Sequence, residues 1–166
     1  MLCPVCRHDN FDGEDTCENC GADLRTSDIP QPATSYRGQL LGEHLSELGL
    51  GAPAFADVET PASDAIRRMH DDGLDCLLVM ADERLVGIFT DRDAVVKAAG
   101  RDLSRFDVRD LMTRDPVVLR AGDTIAVAVH KMAVGGFRHI PIVGDGKPLG
   151  VVSAKDVFAH VAARLG

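Results

Sequence analysis

Four cysteines stand within the first 20 residues as two pairs, Cys3-Pro-Val-Cys6 and Cys17-Glu-Asn-Cys20, with ten residues between them. A C-x2-C pair can fold into a knuckle that turns two thiolates toward one ion. Two knuckles then close a tetrahedron of sulfurs, an arrangement that suits Zn²⁺. A closed four-sulfur site leaves no open coordination position, so its chemistry is structural rather than catalytic. Gly21 directly follows the second pair, where a turn with positive φ is commonly needed, and Arg7 holds that place after the first.

Iron in a rubredoxin-like site is the main rival to zinc, but that fold takes a longer chain between knuckles and an aromatic core. Disulfide bonding is the remaining alternative, and an odd total of five cysteines fits it poorly. Leu2, Val5, Phe11 and Leu24 are the main apolar residues of the segment. So few cannot offset chain entropy, and a metal would have to contribute on the order of 10 kcal/mol. His8 and Asp9 read as solvated loop residues. Residues 1–25 are thus expected to form a zinc ribbon of the short kind often attached to other modules.

A second pattern occurs twice. Gly87-Ile-Phe-Thr-Asp-Arg-Asp93 returns as Gly150-Val-Val-Ser-Ala-Lys-Asp156. Thr90 and Ser153 sit where a strand should give way to a helix, with Asp93 and Asp156 three residues on. The reading that needs no ligand is a capping box with Asp in place of Glu. A helix N-terminus also favours an anion. Gly87 and Gly150 permit the close approach of a ligand or of neighbouring backbone. Arg92 and Lys155 lie inside the motif, and Arg138-His139 opens the apolar run Ile140–Val143 that precedes the second copy, where the first has Asp75-Cys76. Without a ligand, Arg138 is an exposed strand-end charge, His139 a half-buried hydrogen-bonded residue and Cys76 a small core residue.

The elements that position these residues repeat with a period of 63 residues and no gap. Leu45-Ser-Glu-Leu48 matches Val108-Arg-Asp-Leu111, Pro53 matches Pro116, and Met69 matches Met132. Ala62, Ala65, Ile66 and Met69 share a helix face, as do Ile125, Ala128, Val129 and Met132. Leu77–Met80 and Ile140–Val143 are apolar runs of strand length; Leu85–Phe89 and Leu149–Val152 give another strand each. Ala94, Val95, Ala98 and Ala99 mark a closing helix, echoed by Val157, Phe158, Val161 and Ala162. Each unit reads β-α-β-β-α, and one alone is too small to bury a good core. The expected organisation is a ribbon (1–25), a linker and lead-in helix (26–44) and two repeats (45–100 and 108–163). Thr26–Ser35 supplies the linker, and Leu40, Leu41, His44, Leu45 and Leu48 fall at helical spacing.

Apolar residues make up 45% of the chain and charged residues 27%, while Trp is absent and Tyr occurs once. The core must therefore be aliphatic. A net charge of −8 opposes bulk attraction to nucleic acid or anionic membrane. The ribbon itself is acidic, with Arg7 and Arg25 against Asp9, Asp12, Glu14, Asp15, Glu18 and Asp23. No apolar run has the length of a membrane span, and the N-terminus does not read as a signal peptide. The expected location is the cytoplasm, where cysteines stay reduced.

The tandem pattern over residues 45–163, with Gly-Ile-Phe-Thr-Asp-Arg-Asp and Arg-His-Ile-Pro-Ile-Val as its most specific segments, resembles the tandem cystathionine-β-synthase (CBS) domain pair, or Bateman module. The resemblance implies an α+β fold in which two β-α-β-β-α repeats pack about a pseudo-twofold axis. It implies an adenosine nucleotide (AMP, ADP or ATP) in the cleft, with Asp93 and Asp156 accepting from ribose hydroxyls and Thr90 and Ser153 contacting ribose or phosphate. Arg138, His139, Lys155 and Arg92 would face the phosphates. Relatives that bind S-adenosylmethionine, NAD-type dinucleotides or Mg²⁺ leave the ligand open. The resemblance also implies a homodimer, since such modules commonly pair.

The expected function is a non-enzymatic sensor whose partner is another protein chain, because no catalytic constellation with a recognisable nucleophile motif is present. The competing readings are a ligand-free interaction scaffold and a nucleic-acid-binding regulator acting through the ribbon. The acidic ribbon counts against the latter.

Overall fold

The computed structural model describes residues 3, 5–10, 15–22, 24 and 42–164. It divides the chain into two units, residues 1–43 and 44–166. The linker expected at Thr26–Ser35, along with Leu2, Phe11, Leu40 and Leu41, lies outside the described residues.

The second unit holds both repeats. Helix α1 (Ala62–Asp72) buries Ala62, Ala65 and Met69 at the spacing of one helical face. It stops at Gly73, whose left-handed backbone (φ 64) brings the N–H of Leu74 to the carbonyl of Met69 at 2.8 Å. Strands β2 (Cys76–Ala81) and β3 (Arg84–Thr90) form an antiparallel hairpin from Cys76↔Thr90 to Ala81↔Arg84. Its two-residue turn puts Asp82 and Glu83 at positive φ. Strand β1 (Phe55–Asp57) runs parallel to β2, β4 (Thr113–Arg114) runs antiparallel to β3, and the sheet order is β1-β2-β3-β4. Helix α2 (Asp91–Ala98) follows β3 directly.

The second repeat reproduces this order. Helix α4 (Ile125–Gly135) precedes β5 (His139–Gly144) and β6 (Lys147–Ser153), which pair antiparallel across an Asp145-Gly146 turn, and α5 (Ala154–Ala163) closes it. The leading strand is here reduced to one parallel bridge, Leu119↔Ile142.

The short segments that open the repeats are exchanged. The 3-10 turn Leu45–Leu48 places Leu45 in the core formed by Leu119, Ile125, Ala128, Ile140, Ile142 and Val152 of the second repeat. The matching turn, α3 (Val108–Leu111), places Val108 and Leu111 in the first repeat's core with Leu77, Val79 and Phe89. Bridges His44↔Thr124 and Pro61↔Asp107 fix the exchange. The 63-residue offset turns one bridge into the other, so a pseudo-twofold relates the repeats. The lead-in at 45–48 is thus a single turn, stopped by Gly49 at φ 62.

Two expected core faces are only partly so. Val129 of α4 is half-exposed. Val95 of α2 and Phe158 of α5, equivalent by the repeat, are 71% and 72% exposed. Both helices therefore turn apolar side chains outward.

Candidate functional site

In the first unit each cysteine pair sits on a backbone turn that is tightly specified. Arg7 N–H donates to the Cys3 carbonyl at 2.9 Å, and Gly21 N–H to that of Cys17 at 2.8 Å. Cys3 and Cys17 N–H groups donate in turn to the His8 and Ala22 carbonyls. Arg7 takes φ 60 and Gly21 φ 71, so the same knuckle is built twice, once at a non-glycine cost. Buried Asn10 links the pairs, donating to the His8 carbonyl at 2.9 Å and accepting from Glu18 N–H at 3.1 Å.

The four Sγ atoms lie within 4.8 Å of one another. Cys3 and Cys20 sulfurs are 3.7 Å apart, those of Cys6 and Cys17 3.6 Å. Sulfurs placed about 2.3 Å from one zinc at tetrahedral angles would be about 3.8 Å apart, so the donor set fits that ion. Cys3, Cys17 and Leu24 form the described core of this unit, whereas Val5, expected among its apolar residues, is 73% exposed. His8 and Asp9 are exposed.

In the second unit, Thr90 caps α2. Its hydroxyl accepts from Asp93 N–H at 3.2 Å, while Asp93 Oδ2 accepts from Thr90 N–H at 3.0 Å and from the Thr90 hydroxyl at 2.8 Å. Ser153 and Asp156 repeat this box on α5 at 3.2, 2.7 and 2.7 Å. The capping reading therefore holds in both repeats. What differs is the other carboxylate oxygen. Asp93 Oδ1 lies 2.7 Å from Lys97 Nζ and accepts from the Thr113 hydroxyl at 3.3 Å. Lys97 stands one helical turn after Asp93, a spacing visible in the sequence, and was not among the expected site residues.

A cavity of about 390 Å³ opens beside this box. Thr90, Asp91, Arg92, Asp93 and Lys97 form one side of it; Thr113 and Asp115–Val117 form another; Gly135–His139 of the second repeat complete it. Thus Thr90, Asp93 and Arg92 of one repeat and Arg138 and His139 of the other share one cavity. Arg92 donates to the Gly136 carbonyl at 3.2 Å, and Arg138 Nη2 stands 3.7 Å from Asp91 Oδ2, so the repeats are tied across it. A second cavity of about 440 Å³ is lined by Ser153, Lys155, Phe158 and Asp75, and shares Asp91, Arg138 and His139 with the first. Asp156 lines neither of the two.

Burial pulls the His139 pKa below the ordinary histidine value, against the opposing pull of Asp91 and Asp75. Burial, reinforced by Asp75, Asp91 and Asp156, pushes the Cys76 thiol up to about 12, which makes it a poor nucleophile; Cys76 is half-buried and stands outside the core clusters.

Gly87 and Gly150 admit backbone. A Cβ on Gly87 would overlap Met112 Sδ and meet the Thr113 carbonyl at 3.0 Å; one on Gly150 would meet Leu50 Cβ at 3.2 Å and the Gly51 carbonyl at 3.4 Å. The exchanged lead-in segments occupy the space that the sequence left open to ligand or backbone.

Two β-α-β-β-α units joined about a pseudo-twofold, with a cavity between them, define a paired-repeat module. Residues 51–100 and 108–163 each match the CBS domain, and the chain belongs to the CBS-domain family. CBS domain-containing protein CBSCBSPB5 of Arabidopsis thaliana is 33% identical over 136 residues, covering 79% of this chain and 25% of its own length. The chain thus spans about a quarter of that relative. The crystal structure of a CBS-domain containing protein from Agrobacterium tumefaciens is 26% identical, with a TM-score of 0.65 over 71% of this chain and 98% of that one. CBSX2 in complex with AMP shares the fold at 23% identity and a TM-score of 0.65, covering 74% of this chain and 98% of that one. Among the described residues, no helix is long and apolar enough to cross a membrane.

Proposed function

We propose that the chain is a non-enzymatic regulatory module that binds an adenosine nucleotide between its CBS repeats and uses a structural zinc ribbon to dock a partner protein. The observation that carries the nucleotide reading is the shared cavity. The Thr90/Asp93 box of one repeat faces Arg138 and His139 of the other, so a ribose acceptor, a guanidinium and an imidazole that can bind phosphate flank one space. Asp93 would take a ribose hydroxyl in place of the long Thr113 bond, and Arg138, His139 and Arg92 would take phosphate. Ser153, Asp156 and Lys155 would serve a weaker second ligand. The AMP held by CBSX2 supports the ligand class.

Zinc is supported by the sulfur spacing, since four thiolates this close together suit one tetrahedral ion.

The outward apolar side chains of Val95 and Phe158 support a homodimer through α2 and α5, and the reduced cysteines suit the cytoplasm. A ligand-free scaffold is the second reading, favoured by one observation: both oxygens of Asp93 already have protein partners. Calorimetric titration with adenosine and AMP separates the two. Saturable heat supports the sensor, and no heat from either ligand supports the scaffold.

A further inference from the structure

The two cavities meet at Asp91, Arg138 and His139, which line both. Away from this junction the first cavity is walled by Val96, Pro116, Val117 and Phe137, surfaces that suit a flat base. The junction holds the groups that a phosphate needs. A nucleotide seated in the first cavity therefore brings its first phosphate to Arg138 and sends any further phosphate into the second cavity, beside Asp75 and Asp91.

Two of the cations near the junction already face carboxylates. Lys97 is committed to Asp93 at 2.7 Å and Arg138 faces Asp91 at 3.7 Å. Asp91 is held in place: its N–H donates to the Asp75 carbonyl at 3.1 Å, and its Oδ1 accepts from Arg92 N–H at 2.7 Å. Its Oδ2 is the oxygen turned to Arg138. The same backbone bond keeps Asp75 next to Asp91. Burial favours neutral His139, so of the junction's own side chains only Arg138 brings a fixed positive charge, with Lys155 alone added in the second cavity.

We propose, resting on the nucleotide reading above, that Asp91 and Asp75 make this site select a nucleoside monophosphate over the di- and triphosphate. Asp91 does so by holding Arg138 to the demand of one phosphate, and Asp75 by placing a carboxylate where the next phosphate would go. Like charges at this range weaken binding, and salt screens the effect because both carboxylates are exposed.

The test uses the full chain without divalent cations and measures Kd for adenosine, AMP and ATP at low and high salt. The wild type should bind AMP about tenfold or more tighter than ATP, with the gap narrowing in high salt. Asp75→Asn, which leaves the Arg138–Asp91 pair intact, and Asp91→Asn should each narrow the AMP-to-ATP ratio by about threefold or more, with adenosine unchanged. ATP binding as tightly as AMP to the wild type, or a ratio unmoved by both substitutions, would overturn the selectivity while leaving the nucleotide reading in place. Absence of adenosine and AMP binding would overturn that reading and the selectivity together.

Discussion

Lys97 Nζ stands 2.7 Å from Asp93 Oδ1 and also donates to the carbonyls of Leu111 at 2.8 Å and Met112 at 3.3 Å. One ammonium thus ties the motif carboxylate to the end of α3, the segment that leads into the second repeat but packs on the first. The second repeat carries His160 at the equivalent place, so the two copies of the motif are not alike.

Lys97→Met keeps the apolar stem and removes these bonds. Because the side chain is partly exposed, solvent discounts the ion pair, and the expected cost is about 1–2 kcal/mol. Asp93→Ala also removes the carboxylate's bonds to the Thr90 N–H and hydroxyl and should cost about 2–3 kcal/mol, against about 1 kcal/mol for Asp156→Ala. Thermal unfolding of the three variants checks the order. Equal losses for the two aspartates would show that Lys97 contributes nothing.

Gly87→Ala puts a Cβ against the Thr113 carbonyl, which cannot move without shifting β4. It should destabilise by about 1–3 kcal/mol. Gly150→Ala meets wider gaps and should cost less than about 1 kcal/mol. Denaturant unfolding gives both values, and a Gly150 variant as damaged as the Gly87 one would contradict the difference in space at the two positions.

His139 is depressed by burial. Below the ordinary histidine value of 6.5 the unfolded chain binds this proton more readily than the folded one. Stability from His139 is therefore complete above that value and is lost as pH falls through it toward the lower folded value. His139→Gln should flatten the pH dependence of Tm between pH 7.5 and 5.5 relative to wild type in the absence of ligand. Parallel curves would show that His139 carries no such linkage.

The ribbon should hold about one zinc per chain, and Cys17→Ser should release it. Acid should release it too, because protons compete for thiolates. A chain beginning at residue 36 should still fold and dimerise. A folded metal-free ribbon would remove the metal account, and an insoluble truncation would remove the domain division.

The periodicities of the sequence expose the repeat, its strands and helices, and the Thr90/Asp93 and Ser153/Asp156 boxes, because these follow from local spacing. The exchange of Leu45–Leu48 and Val108–Leu111 was not legible. An apolar turn shows that it needs a core but not which one, and the choice rests on pairings such as His44↔Thr124, far apart in the chain. The same exchange explains why Gly87 and Gly150 meet backbone. Lys97 and Thr113 were missed because their partner, Asp93, already had a sufficient local explanation as a cap. Val95 and Phe158 fit a helical core pattern, yet face outward, since periodicity does not say what covers a face.

The most direct measurement is the affinity of AMP and of adenosine for the wild type and for Arg138→Ala, by calorimetry under one salt condition. Arg138 is exposed and carries no core packing, so its loss should leave the fold intact. The account predicts saturable AMP binding to the wild type, a loss of about tenfold or more for AMP in the variant, and adenosine affinity changed by less than about twofold. Equal losses for AMP and adenosine, or a wild type that binds neither, would contradict it.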